Sequence, residues 1–392
     1  MGHHLDGKSS IVPLIDRLNK YPVGLPDSDV LRRILTILFS EEEAHIASRF
    51  PLTEATLPEL VRATGWDADR LLQKLEEMAI KGLVMDSRYG GKTYYMLMPG
   101  LIGFFEFTFM KQRSDLPAEE LAQLMHEYLY DDPEQKMGRE FFSSKTPLTR
   151  SLPYEEHIPV SSRVETYESA KRIIKNASYG AIGMCYCRHT REHLNQKCTK
   201  NAPVEEICIS LGTAAKFMVR RGFAEKRSKE ELLLILKKAR DLNLTHITDN
   251  IRHHPSFICN CCSCCCELLG GAMRGFPLGI AKTNYTLRIN SDSCVGCGLC
   301  KKACNIDALQ LVERKGDAGG KRMRVSPEKC LGCGACISVC PTKSLSLVAV
   351  ARPEIPEKKK DLMRQILKEK RRLAPFVAAT FKKKINRFLG RR

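Results

Sequence analysis

Eight of the chain's 18 cysteines fall into two sets with the same spacing. Cys294, Cys297, Cys300 and Cys304 are separated by two, two and three residues. Cys330, Cys333, Cys336 and Cys340 repeat the pattern at an offset of 36, and Pro341 follows the last of them. Gly296 and Gly298 match Gly332 and Gly334, and Leu309, Leu311 and Val312 match Leu345, Leu347 and Val348. Thiolates at these gaps suit soft metals, and four of them can hold the corners of an iron–sulfur cubane. A tight loop can supply three corners, but the chain is too stiff to bring a fourth to the far side. The fourth therefore comes from the other half. That crossing assigns Cys294, Cys297, Cys300 and Cys340 to cluster one, and Cys330, Cys333, Cys336 and Cys304 to cluster two. Zinc usually takes two separated Cys pairs, and disulfides need no doubled register. The interleaved glycines can adopt φ > 0 and turn backbone N–H groups toward sulfides.

Over about residues 285–350 these motifs resemble the two-cluster [4Fe-4S] bacterial-type ferredoxins. The resemblance implies two [4Fe-4S] clusters and electron transfer. In one respect the chain departs from the pattern. Asn305, not proline, follows Cys304, which is expected to loosen the turn after the first motif without removing a ligand.

A second cysteine region precedes the first. Ala181-Ile-Gly-Met reads as a strand leading into Cys185-Tyr-Cys187-Arg188-His189, and Cys198 and Cys208 follow. Then come Cys259, Cys261, Cys262, Cys264, Cys265 and Cys266, six cysteines within eight residues. Ordinary core cysteines do not cluster in this way. The ten offer a further iron–sulfur cluster or zinc, with redox-active or simply reduced thiols as the other reading. Cys185, Cys187, Cys198 and Cys208 would make one complete set of four, and the later run would complete it or build another site. Arg188 and His189 are placed to donate hydrogen bonds to a cluster, unless they are ordinary surface residues. The region resembles what precedes the ferredoxin module in multi-domain iron–sulfur proteins of anaerobes, and that resemblance assigns no reaction.

The elements that must position these residues follow from pattern. With 392 residues and 43% apolar content, the chain suits two or three ordinary domains. Residues 28–98 resemble a winged helix-turn-helix. Helices are expected around Leu31–Leu38, Glu41–Phe50, from Thr56, and from Asp67 to Lys81, followed by a hairpin about Gly90-Gly91. The charges of the helix in the reading position argue against specific DNA binding, since Arg70, Lys74 and Lys81 are set against Asp67, Asp69, Glu76 and Glu77. Residues 99–160 read as a helical connector with a packing seam of Phe104, Phe105, Phe107 and Phe109, and Pro147–Pro159 reads as loop. Residues 161–284 read as a small α/β domain, with helices at Ala170–Ile174 and Lys229–Ala239 and a strand at Leu244–Ile247.

The formal charge of +18 is uneven. The tail, 351–392, holds 15 Lys/Arg and 4 Asp/Glu, so +11 of the total sits there. Lys358-Lys359-Lys360 opens a basic helix, and Val377, Phe381, Ile385, Phe388 and Leu389 fall on one stripe. Such a helix suits an anionic membrane surface or an acidic partner, or simply packs. No signal peptide or spanning helix is expected, since the most apolar window, Leu97–Met110, is short and holds Glu106. Eighteen cysteines without an export signal point to metal ligands and a cytoplasmic location, with the tail at the inner face of the membrane.

The expected fold is therefore an α+β multidomain chain: winged-helix-like unit, Cys-rich α/β domain, ferredoxin-like 2[4Fe-4S] domain and basic helical tail. The expected function is the relay of single electrons between protein partners, within a larger anaerobic redox system rather than as a stand-alone enzyme. No dinucleotide fingerprint follows a strand, and no paired acid/base or nucleophile arrangement stands out. Two alternatives are a reductase using the middle cysteines and an iron–sulfur transcriptional sensor.

Overall fold

The computed structural model describes residues 10–142, 144–159, 165–276, 279–313, 320–378 and 381. It mixes helix and sheet. Five helices open the chain: α1 (Ile11–Leu18), α2 (Asp29–Leu38), α3 (Glu41–Ser48), α4 (Leu57–Thr64) and α5 (Ala68–Lys81). Their starts follow capping chemistry. Ser28 Oγ accepts from Leu31 N at 3.1 Å, Asp67 Oδ1 from Arg70 N at 3.0 Å, and Ser40 and Glu43 form a reciprocal capping box. Strands β1 (Val84–Tyr89) and β2 (Lys92–Leu97) form an antiparallel hairpin. Its Gly90-Gly91 turn takes φ of 56° and 71°, the left-handed pair that matches strand twist.

The apolar core of this unit does not stop at the hairpin. It runs from Ile11 and Leu14 through Leu31, Ile34 and Leu75 to Phe104, Phe105 and Phe109. Helices α6 (Phe105–Thr108), α7 (Ala118–His126) and α8 (Lys136–Phe142) contribute Leu121, Met125 and Phe141 to it. The aromatic seam is buried packing, with the Phe39 and Phe104 rings 5.5 Å apart at 85°.

The cysteine-rich domain is a seven-stranded sheet in the order β6-β4-β5-β8-β7-β3-β9. The strands are β3 (Thr149–Leu152), β4 (Gly180–Gly183), β5 (Cys208–Leu211), β6 (Ala224–Lys226), β7 (Thr245–Asp249), β8 (Phe257–Cys261) and β9 (Ile280–Ala281). All neighbours pair antiparallel except β3 with β9. The stretch expected as loop at 147–159 thus supplies β3, whose four residues are all buried. Polar Thr149, Arg150 and Ser151 conceal it from any hydrophobic pattern, because they are buried by pairing on both edges.

Helices α9 (Ala170–Asn176) and α12 (Lys229–Asp241) cover one face, packing Ile173, Ile174, Leu232 and Leu236 on Ile182, Ile209 and Ile258. Helix α11 (Gly212–Arg220) packs along β4–β6 and, through Phe217, on Phe107. Helix α10 (Tyr186–His193) follows β4, and α13 (Glu267–Met273) follows β8.

The doubled-cysteine segment forms two small antiparallel ribbons. Strand β10 (Tyr285–Ile289) pairs with β13 (Leu345–Ala349), and β11 (Leu309–Glu313) with β12 (Lys321–Val325). One turn of helix, α14 (Leu299–Ala303), lies between them. The repeat Leu309/Leu345 is thereby explained, since each begins the equivalent strand of its half.

The tail then returns to the N-terminal core. Helix α15 (Lys359–Glu369) buries Leu362, Ile366 and Leu367. Arg372 makes a two-point ion pair with Glu140 at 2.6 and 3.0 Å. Val377 and Phe381 are exposed, whereas Ile385, Phe388 and Leu389 lie outside the described residues. Among the described residues, no helix is long and apolar enough to cross a membrane.

Candidate metal centres

None of the 18 cysteines is joined in a disulfide, so every one is available as a metal donor. In the doubled segment, the structure brings Cys304 to the opposite half. One cavity is lined by Cys304, Cys330, Cys333 and Cys336, closed by Ile306, Leu331 and Leu347. The charged neighbours of Cys300 are Cys340, Cys294 and Cys297. Burial pushes the Cys300 thiol up to about 11 and Cys333 to about 12. A thiolate there is therefore costly without a cation, and a metal would supply that cation. Four sulfurs around one cavity fit a cubane's donor requirement.

Two glycines hold the loops to this shape. Gly296 has φ of 67°, and a Cβ there would meet the Lys321 carbonyl at 2.2 Å. Gly332, its partner in the repeat, has φ of 70°, and a Cβ would meet the Tyr285 carbonyl at 2.1 Å. Each packs its cysteine loop directly on a ribbon backbone, which no side chain permits.

Asn305 does not leave a loosened turn. It is 2% exposed, and its Nδ2 donates to the Asn243 carbonyl at 2.6 Å and to Thr245 Oγ1 at 3.1 Å. The residue that breaks the repeat is the one that docks the segment on β7. Tyr154 docks the other loop: its N donates to the Cys333 carbonyl at 2.9 Å and its hydroxyl to the Leu244 carbonyl at 2.6 Å.

The ten cysteines of the larger sheet do not divide as their order in the chain suggests. Cys198 leaves the Cys185, Cys187 and Cys208 set. Its sulfur lies 3.6 Å from Cys262 and 3.7 Å from Cys264, and Cys265 lies 3.6 Å from Cys264.

The remaining six close a ring. Cys185 adjoins Cys187 and Cys208, Cys208 adjoins Cys259, Cys259 adjoins Cys261, Cys261 adjoins Cys266, and Cys266 returns to Cys187. Local structure produces this ring. Cys259 and Cys261 alternate on β8, so they share a face. Cys208 opens β5 opposite Gly183 of β4. Cys185 is the N-cap residue of α10, with Cys187 in its first turn. Hydrogen bonds with Cys187 and Cys208 lower the pKa of the Cys185 thiol, while the neighbours Cys185 and Cys266, together with burial, raise that of Cys187. Cys266 caps α13. A hydrogen bond with its neighbour Cys208 draws the Cys259 thiol down to about 6.

Arg188 stands between the two groups and is 2% exposed. Its Nη2 donates to the Asn260 carbonyl at 2.9 Å and to Cys262 Sγ at 3.4 Å. Burial works against its charge, but the Cys185, Cys262 and Cys208 thiolates hold its pKa above the ordinary value. His189 points the other way, its Nδ1 2.9 Å from the Phe109 carbonyl. It ties α10 to the aromatic seam rather than to a metal.

Two carboxyls near the ring carry no sequence signal. Burial pushes Glu106 up to about 7, against hydrogen bonds from Gly103 N at 2.7 Å and Ile102 N at 3.2 Å. Ile102 has φ of 34°, a costly angle for a β-branched residue. Burial pushes Glu267 up to about 8, with Arg191 at 3.5 Å. Only the fold brings Glu106, some 150 residues upstream, to Cys259.

Comparison with known families now bears on one part of the chain. Residues 293–344 match the 4Fe-4S dicluster domain family. The segment is of ferredoxin type. No curated protein and no solved structure matches the chain. The ferredoxin-type segment and the abundance of cysteines indicate iron–sulfur electron transfer.

Proposed function

We propose that the chain relays single electrons between two [4Fe-4S] clusters of its ferredoxin-type segment and the cysteine-rich sheet, as a subunit or partner of a larger redox system. One observation carries this reading. Cys300, Cys330 and Cys336 share a single apolar core with Cys261 and Cys266 of the six-thiol ring, joined through Ile247, Leu269 and Leu331. A core that touches both thiol groups keeps the path between them apolar, and burial and solvent exclusion are among the factors that set cluster potentials.

The clusters supply one-electron chemistry when bound, and every other contribution comes from the chain. Cys294, Cys297, Cys300 and Cys340 would hold cluster one, and Cys330, Cys333, Cys336 and Cys304 cluster two. Thr245 Oγ1 lies 3.8 Å from Cys333 Sγ and donates toward it, which eases ionisation of that thiol. The six-thiol ring would hold a further iron–sulfur cluster, having more donors than a cubane needs.

The reading as a reductase is favoured by one feature. Glu106, beside Cys259, and Glu267, next to Cys266 in the chain, place at the ring two carboxyls whose pKa burial raises. An open coordination position would separate this reading from a pure relay. We propose no specific DNA binding for the N-terminal unit. Arg70, Lys74 and Lys81 of α5 pair with Glu42, Glu77 and Glu43 instead of standing free for phosphates.

Anaerobic purification with iron and sulfide counting, then electron paramagnetic resonance of the reduced protein, tests the proposal. Two interacting signals from the ferredoxin-type segment and additional iron in the full chain are expected. Iron that does not exceed the needs of one cubane would overturn it.

A further inference from the structure

We infer that Cys198, Cys262, Cys264 and Cys265 form a site for one thiophilic metal ion, zinc in preference to iron, separate from the six-thiol ring. The four sulfurs lie within 4.8 Å of one another. Three of the separations are 3.6, 3.7 and 3.6 Å. A tetrahedron's edge is about 1.6 times its centre-to-corner distance, so zinc–sulfur bonds of about 2.3 Å require sulfurs about 3.8 Å apart. The set already has the dimensions of a single-ion tetrathiolate.

A cubane needs a different spacing. Irons and sulfides lie between its thiolates and hold them farther apart. The ferredoxin-type segment provides the contrast within the same molecule. Among the described residues, no other three His, Cys, Asp or Glu ligand atoms come so close together, the doubled-motif cysteines included.

The chain around the site fits a closed centre. Cys262, Cys264 and Cys265 sit on the turn between β8 and α13, and Cys198 arrives 64 residues earlier in sequence. Four protein thiolates leave no open position, as in structural zinc sites. For one donor set, zinc binds more tightly than ferrous iron. Arg188 donates to Cys262 Sγ at 3.4 Å and places a buried positive charge against the negative tetrathiolate.

The site also has a structural consequence. Lys200, two residues past Cys198, donates to the Lys302 and Ala303 carbonyls at 3.2 and 3.3 Å, just before Cys304. An ion that fixes Cys198 therefore fixes a contact with the ferredoxin-type segment.

The test uses full-length protein purified without oxygen, with zinc, iron and acid-labile sulfide measured and the zinc K-edge spectrum recorded. We expect a single zinc per chain in an all-sulfur shell at about 2.3 Å with no metal neighbour. Cys198→Ser and Cys264→Ser should each lose that zinc and keep iron, sulfide and the reduced-state signals of the ferredoxin-type segment. Loss of one iron with no loss of sulfide would also support a single-ion site, with iron as the ion. Loss of sulfide together with several irons in either variant overturns the inference, because the four cysteines would then hold a cluster. Wild-type protein with neither zinc nor sulfide-independent iron overturns it as well, without reliance on any variant.

Discussion

Asn305 Nδ2 donates to Thr245 Oγ1 at 3.1 Å, while the same hydroxyl lies 3.8 Å from Cys333 Sγ. One amide therefore connects the end of the first cysteine motif, the central sheet and a cysteine of the second motif. The departure of the first motif from its repeat marks where the ferredoxin-type segment meets the rest of the chain.

Replacing that amide should weaken docking without touching a ligand. Asn305→Ala removes bonds to Asn243 and Thr245 at a buried position. Leaving buried acceptors unpaired costs about 1–3 kcal/mol. Chemical denaturation should show that loss, with iron content unchanged. An unaltered midpoint would mean that the segment is held elsewhere.

The crossing of the two motifs is tested by Cys304→Ser. Cys304 lines one cavity with Cys330, Cys333 and Cys336. The variant should perturb the signal of the cluster held by those three and spare the one held by Cys294, Cys297 and Cys300. Perturbation confined to the latter would show that each motif keeps its own fourth ligand.

A third relation holds the N-terminal unit to the cysteine-rich sheet. Asp86, 1% exposed, accepts from Arg221 Nε at 2.8 Å and Arg220 Nε at 2.9 Å. Burial raises the carboxyl's pKa, but the two arginines outweigh it and hold it below the usual range. A lowered folded pKa means that the stabilisation is present above the unfolded value, near pH ~4, and is lost as pH falls through the folded one. Asp86→Asn should cost about 1.5–3 kcal/mol at neutral pH, since it removes the charged acceptor of both arginines and leaves Arg221 with Glu76 as its remaining carboxylate. The gap between wild type and variant should close on acidification, as read by thermal unfolding at several pH values.

The sequence revealed what is local. The cysteine spacing, the capping box at Ser40 and the hairpin at Gly90-Gly91 each act within a few residues, and each is legible for that reason. The N-terminal helix α1 carries a weak signal, because it is only eight residues long and its N-cap Ser10 makes no side-chain cap hydrogen bond. The partition of the middle cysteines was not legible either. Cys198 and Cys262 meet only after β5, β7 and β8 have assembled, so chain order grouped Cys198 with its nearer neighbours. Glu106 reaches the ring through the same long-range packing. Strand β3 was hidden because its buried residues are mostly polar.

The tail divides into two parts with different expected roles. Leu362 and Ile366 of α15 are fully buried in the N-terminal core, and Lys370 and Arg372 are paired with Glu140. This part is structural: Ile366→Ala should destabilise the fold by about 2–5 kcal/mol. Beyond it, Val377 is 47% exposed and Phe381 64% exposed, two large apolar side chains four residues apart that the described residues leave open to solvent. We propose that they enter the headgroup layer of an anionic membrane, with neighbouring basic residues adding roughly 1 kcal/mol each, weakened by salt. Val377→Ser combined with Phe381→Ser should reduce co-sedimentation with anionic vesicles and leave both the unfolding midpoint and iron content unchanged. Salt alone should weaken the wild type in the same assay. If full-length protein ignores such vesicles at low ionic strength, this surface serves an acidic protein partner and the membrane reading fails.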